Sequence, residues 1–414
     1  MMKIKFILPL TFLFALCSTS LISQVKVKTG IEVLVRDGLD KIKGKRVGLI
    51  TNQTGVNSQL ESTIDLLYSM RDVKLAALYG PEHGVRGAIP AGEKIDTYMD
   101  EKTNIPVYSL YGKTRKPTPE MLKGIDMLIY DIQDIGARSY TYISTMGLAM
   151  EAAAENNISF VVLDRPNPLG GEKFEGSIVR EGFFSFIGQY PIPYLYGLTC
   201  GEIAQLINNE GLLKNGVKCN LIVVKMEGWR RNMLFEDTGL PWVLTSPHIP
   251  HYYSAQFYAS TGILGELGVI SEGVGSTLPF QLIGAEGIDP DLISSRLNAL
   301  KLPGVIFRPN TWKPFYGNYQ GKTLGGVQVH ITDYQKINLT SIQFYFLQEL
   351  KKLYPEKDVF ALAKPDRIRM FDQATGWNKI REIFSKSYRY DDIKQIWENE
   401  AIDFRKKAAK YFLY

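Results

Sequence analysis

The feature that most constrains this chain is an alternation running from about Val27 to Met226. Short β-branched runs, polar turns and helical stretches succeed one another in a fixed order. The runs are 46–51 (RVGLIT), 74–79 (KLAALY), 126–131 (DMLIYD), 159–164 (SFVVLD) and 220–225 (NLIVVK). Each is apolar nearly throughout, the mark of strands buried on both faces of a parallel sheet. Helical patterns lie between them at 63–68, 145–156 and 200–208. The alternation predicts an α/β fold, a Rossmann-like, doubly wound and mostly parallel sheet.

From about Pro241 the pattern changes. Glycine and proline become dense through TSPHIPHYYSAQFYASTGILGELGVISEGVGSTLPFQLIG, with little periodicity. Strands are expected at 304–308 and 326–331, and helices at 341–353 and 394–410. This part reads as a smaller α+β domain preceded by a long loop region, and loops of that length in a compact protein usually line binding sites. The domain plan is therefore a signal peptide over 1–23, a Rossmann-like catalytic domain over 24–240, and an α+β domain with cleft-lining loops over 241–414.

The first residues, MMKIKFILPLTFLFALC, place Lys3 and Lys5 before an apolar run from Phe6 to Leu16. That is the build of an export signal, and it is shorter than the ~20 residues of a membrane span. No later stretch reaches that length, so no transmembrane span is expected, and the protein is expected to be periplasmic or secreted. Cys17 offers a second route, a lipid anchor to the outer membrane. Leu16 stands before it where a lipobox carries a small residue, so simple secretion is the expectation. Only Cys200 and Cys219 follow, either bridged to each other or as two buried thiols.

The net charge of +5 includes the two leader lysines, which leaves no basic excess of the kind that marks a nucleic-acid partner. A phosphate loop, a GxGxxG turn after the first strand and a GxSxG nucleophile elbow are all missing from the sequence. His248 and His251 sit in SPHIPHYY, where Pro247 and Pro250 oppose the helix that would align them on a metal. Neither a metal nor an organic cofactor is expected.

Ligands bind open α/β sheets at the carboxyl ends of the strands. The segments expected there are rich in chemistry: Asn52 after the first run, GPEHGVRG with Glu82, His83 and Arg86 after the second, DIQDIGARSYTY with Asp131, Arg138 and Tyr140 after the third, and DRPN with Asp164, Arg165 and Asn167 after the fourth. Glu82 is bracketed by Gly80, Pro81, Gly84 and Gly87, so a substrate can approach its backbone closely. A carboxylic acid partly shielded from water can protonate a leaving oxygen, as in glycosidic cleavage. The same acids and arginines can also pair locally, as Asp164 with Arg165, or Glu82 with Arg86. In a functional rim, aspartates would bond sugar hydroxyls and Arg138 or Arg165 would grip a carboxylate.

These segments carry a family resemblance. GLITNQTGV, LYGPEHGVRG, DIQDIGARSYTY, LDRPNPLGG and YGLTCGE, in this order, resemble the NamZ-type exo-β-N-acetylmuramidases, glycoside hydrolase family 171. The likeness spans nearly the whole chain from about Gly30. It implies an exo-acting hydrolase that releases N-acetylmuramic acid from the non-reducing end of peptidoglycan fragments, with a cleft between two domains and no metal. Carried over by motif, Glu82 is the catalytic acid, with His83, Asp131, Arg138, Tyr140, Asp164, Arg165 and Asn167 around it. Glu266 or Glu272 supplies the second carboxylate, unless the substrate's 2-acetamido group takes that part. The loop region departs from the family pattern: His248 stands where Asn is usual, and Val274 and Leu278 where arginines are common. The alternatives are an exported carbohydrate-binding protein without turnover, and a glycosidase of the same fold for another anionic amino sugar.

Overall fold

The structure is a computed structural model describing residues 27–82, 84–87 and 97–414. The proposed signal segment with Cys17, and His83 in the Glu82 loop, lie outside the described residues. The first sheet is built from β1 (Arg46–Thr51), β2 (Lys74–Gly80), β3 (Tyr98–Met99), β4 (Pro106–Ser109), β5 (Met127–Asp131), β6 (Ser159–Leu163) and β7 (Leu221–Val224). Their order is β3-β4-β2-β1-β5-β6-β7, parallel throughout except for β3 against β4.

Alternate residues of each strand feed opposite cores. Val47, Leu49, Met127, Ile129, Val161 and Leu163 pack with the helices Gly30–Asp37 and Thr63–Ser69. Ile50, Leu128, Tyr130, Phe160 and Val162 pack with Tyr142–Glu155 and Cys200–Asn209 on the other face. Burial on both sides is why these runs lack polar alternation, and it makes the sheet doubly wound. Gly48 permits a close contact within the sheet: a Cβ there would lie 2.7 Å from the Tyr79 ring and 2.8 Å from Leu128. Cys200 and Cys219 are both buried free thiols, and burial pushes the Cys219 thiol up to about 12.

The second unit holds a three-stranded antiparallel sheet of β8 (Leu282–Ala285), β9 (Val305–Trp312) and β10 (Leu324–Ile331), in the order β8-β10-β9. Helices surround it, among them Ile342–Leu353 and Asp391–Ala408. The long loop expected after Pro241 is corrected by a fourteen-residue helix, Ser254–Leu267. Ala255, Phe257, Ala259, Ser260, Thr261, Ile263, Leu264 and Leu267 are all buried, around most of its circumference. A helix enclosed on most sides has no polar stripe, so its 3.6-residue period is invisible in the sequence.

The chain end returns to the first sheet. Phe404, Ala408 and Tyr411 join the core beneath Cys200–Asn209, and the Tyr414 hydroxyl donates to Asp164 Oδ2 at 2.8 Å. Ile135, Ala137, Tyr194 and Ile249 enter the core of the second unit in turn, so the two units are packed against each other through apolar side chains.

Candidate active site

Strand β1 lies between β2 and β5, so the chain leaves β1 in one direction and resumes on its other side. The carboxyl ends at this reversal are where a doubly wound sheet accommodates a ligand. Most of the polar residues expected to serve that ligand are bonded within the protein instead. Asp131 holds Arg165 through two bonds, Nε–Oδ1 at 2.5 Å and Nη2–Oδ2 at 3.0 Å, and accepts the Thr63 hydroxyl. The same guanidinium donates to the Val56 carbonyl at 2.7 Å. Asn52 accepts the Thr54 amide at 2.9 Å. Asp164 accepts from the Gly201 and Arg165 amides and the Thr199 and Tyr414 hydroxyls, and burial lifts its carboxyl to about 6. Asn167 donates to Leu198 O and accepts from Leu169 N, both at 3.0 Å.

Arg138 is the clearest departure from the expected substrate grip. Its guanidinium is buried and donates to the carbonyls of Ser177, Ile192 and Ala374 at 2.6–2.7 Å. It ties the first unit to the helix Pro365–Thr375 and is not among the described walls of the pocket beside Glu82. Arg86 is likewise engaged, bonding both oxygens of Asp100 at 2.6 and 2.9 Å; that bond holds the Asp100 carboxyl down at about 2. The pair ties Arg86, in the segment that carries Glu82, to Asp100.

Beside this scaffold a pocket opens, about 570 Å³ including its mouth. Its described walls are Glu82, Tyr140, Thr141, Tyr142, Ser246, His248, Ile249, Tyr258 and Phe280. The structure thus brings Glu82, Tyr140 and His248, far apart in the chain, to one place. Glu82 follows β2 and Thr141 immediately precedes the helix Tyr142–Glu155; the Thr141 hydroxyl lies 3.4 Å from Glu82 Oε2. Tyr111, in the loop after β4, lies near enough for the Glu82 charge to act on it; burial and that charge raise its phenol to about 12.

The opposite wall is aromatic and fixed. Tyr140 packs edge-on against Tyr142 and Tyr258, at 5.0 and 5.8 Å between ring centroids, and Tyr258 against Phe280 at 4.9 Å. The hydroxyls are tied: Tyr140 to Thr245 Oγ1 at 2.7 Å, Tyr142 to Thr245 O at 2.6 Å, and Tyr258 to Ser139 Oγ at 2.9 Å. Burial raises all three phenols above their ordinary value, so they stay protonated and neutral. Phe280 has φ +63°, a left-handed backbone unusual for a bulky residue, and its main chain is held by Glu272 O and the Thr261 hydroxyl.

Glu266 and Glu272 stand next to this wall without being among its described residues. Glu266 lies 3.9 Å from Arg367, and burial raises its carboxyl. Glu272 is pushed up to about 7, first by burial and then by the Glu266 charge. His248 bonds the Tyr316 hydroxyl at 2.8 Å, with its ring plane 18° from that of Tyr316. The residues that sequence reasoning passed over are Tyr111, Thr141, Tyr142, Ser246, Ile249, Tyr258 and Phe280. Of these, Thr141 and Tyr142 lie within or directly after the DIQDIGARSYTY segment already singled out, so their signal was present; Tyr258 and Phe280 carried none.

One carboxylate facing a rigid wall of rings and hydroxyls, at the carboxyl edge of a doubly wound sheet, defines a pocket enzyme equipped for a sugar. The chain belongs to the exo-β-N-acetylmuramidase NamZ family: the model of its N-terminal domain matches residues 47–253 and that of its C-terminal domain residues 256–414. It is 47% identical over 389 residues to the peptidoglycan β-N-acetylmuramidase NamZ of Bacillus subtilis (strain 168), covering 94% of this chain and 92% of that protein. Two crystal structures of DUF1343 family proteins from Bacteroides fragilis NCTC 9343 share the fold. One has a TM-score of 0.90 at 56% identity and the other 0.74 at 26%; each match covers 94% of this chain and 99% of the other.

Proposed function

We propose that this protein is an exo-acting glycosidase that releases N-acetylmuramic acid from the non-reducing end of peptidoglycan fragments. The observation that carries the reading is the family membership, with 47% identity to a peptidoglycan β-N-acetylmuramidase over nearly the whole chain. The pocket supports it chemically. Glu82, half-buried and beside the Thr141 hydroxyl, is the one carboxylate on the described wall and takes the part of general acid. Its proton passes to the glycosidic oxygen as the C1–O bond breaks. The 2-acetamido oxygen of the sugar lies beside C1 and closes on it. Water then opens that ring at C1, giving its proton back to Glu82. The tyrosine hydroxyls bond the sugar, and the rings exclude water.

Peptidoglycan lies outside the cytoplasmic membrane, and the positive-then-apolar leader supports export to it. Among the described residues no helix is long and apolar enough to cross a membrane.

The test is release of N-acetylmuramic acid from a muramyl disaccharide. Wild-type protein is expected to release it, and Glu82→Gln to lose at least ~10²-fold in kcat, the scale of a general acid, with an unaltered melting temperature. A Glu82→Gln variant with kcat close to that of wild type would reject the acid's role.

A further inference from the structure

N-acetylmuramic acid differs from N-acetylglucosamine by a lactyl carboxylate, so a selective pocket needs a cation with donors to spare. The arginines nearest the site are spent. Arg86 is bound to Asp100, Arg165 to Asp131, and Arg138 to three carbonyls; Arg367 is committed to Gly265 O and Glu266. Val274 and Leu278 bring no charge.

Another guanidinium, that of Arg115, belongs to the same loop as Tyr111 and its charge acts on that phenol. Strand β4 pairs with β2 in parallel, Ser109 opposite Gly80, and the Leu110 amide donates to Gly80 O at 2.8 Å. The loops leaving these two strands therefore emerge side by side, one carrying Glu82 and the other Tyr111 and Arg115. The Glu82 charge acts on the Tyr111 phenol, so the two loops run close together. Arg115 is exposed, and its guanidinium carbon lies 4.3 Å from the centroid of the half-buried Phe186 ring. Among the described residues it makes no hydrogen bond or ion pair, so its planar fork is oriented by stacking while its N–H donors remain open.

We infer that Arg115 is the specificity residue of this pocket, binding the lactyl carboxylate of N-acetylmuramic acid in bidentate fashion at the rim beside Glu82 and Tyr111. The inference rests on the muramidase reading and names the group that selects its substrate. A guanidinium fork matches a carboxylate in plane and spacing, and stacking on Phe186 reduces the side-chain freedom lost on binding.

The experiment compares affinities for free N-acetylmuramic acid and N-acetylglucosamine, by calorimetry on the full chain, in wild type, Arg115→Gln, Arg115→Lys and His248→Asn. Wild type is expected to prefer the acid. Arg115→Gln should cut that preference at least ~tenfold, while Arg115→Lys restores part of it as a point charge without the fork. An equal loss for both sugars would mean that Arg115 only supports the loop, and an unchanged preference would assign it no contact; either overturns the proposal. Collapse of the preference in His248→Asn alone would move the carboxylate to the opposite wall and overturn it too. Turnover is scored separately: a wild type that binds the acid selectively, with the preference cut in Arg115→Gln, yet releases no sugar from a muramyl disaccharide would sink the muramidase reading while leaving the Arg115 contact established. Binding of neither sugar would overturn the Arg115 contact.

Discussion

Asp131 ends β5 and Glu82 follows β2, on either side of β1 and at the same edge of one sheet. Asp131 is fully buried and its carboxylate is filled by Arg165 and Thr63. Glu82 is half-buried, with Tyr111 and Thr141 beside it and the pocket in front. One carboxylate is consumed by structural bonds and the other is left open to the pocket. The difference lies in the partners: a buried charge is tolerated only when paired and bonded, whereas a reacting group needs room left in its coordination. Arg138, Asp164 and Asn167 fall on Asp131's side of this divide, and Tyr140 and His248 on Glu82's.

The sharpest way to break the comparison is to remove one member of the buried pair. Arg165→Ala leaves Asp131 charged and unpaired in the core, at a cost of about 3–5 kcal/mol by denaturant unfolding. A variant that keeps its stability and loses only activity would place Arg165 in the site after all.

A smaller effect separates Asp134 from the rest of the scaffold. Its Oδ2 accepts Tyr196 and the Gly136 amide, its Oδ1 has no partner, and burial raises its carboxyl to about 6. The folded chain holds that proton more tightly than the unfolded chain. The group's contribution to stability is therefore present below about pH 4, is lost as pH rises toward about 6, and stays lost above it. Asp134→Asn removes the buried charge and should raise stability at about pH 7.5 by on the order of 2 kcal/mol, with the gain shrinking toward about pH 4.5. Thermal melts at the two pH values check this, and a gain independent of pH would contradict it.

The sequence discloses these two sets unequally, and the reasons are physical. Strands such as Met127–Asp131 announce themselves because burial on both faces forces a continuous apolar run. The four loops fall at one edge as expected, since the edge follows from the strands. What the loops do there is not legible: DIQDIGARSYTY holds both the inward-turned Arg138 and the pocket-lining Tyr140, and nothing in their spacing tells a buried guanidinium from a phenol on the pocket wall. Arg115 leaves no trace because its loop hangs from β4, a four-residue strand beginning with proline, too short for a periodic signal. The helix Ser254–Leu267, which supplies Tyr258, is hidden by its own burial.

The central claim is that Glu82 faces the bond to be broken while the terminal sugar fills the aromatic pocket. A crystal structure of Glu82→Gln holding an uncleaved muramyl disaccharide tests it most directly. The account predicts the terminal ring between Tyr140, Tyr258 and Phe280, with the bridging oxygen about 3 Å from the substituted side-chain amide. A disaccharide seated elsewhere, or turned so that another carboxylate reaches that oxygen, would contradict it.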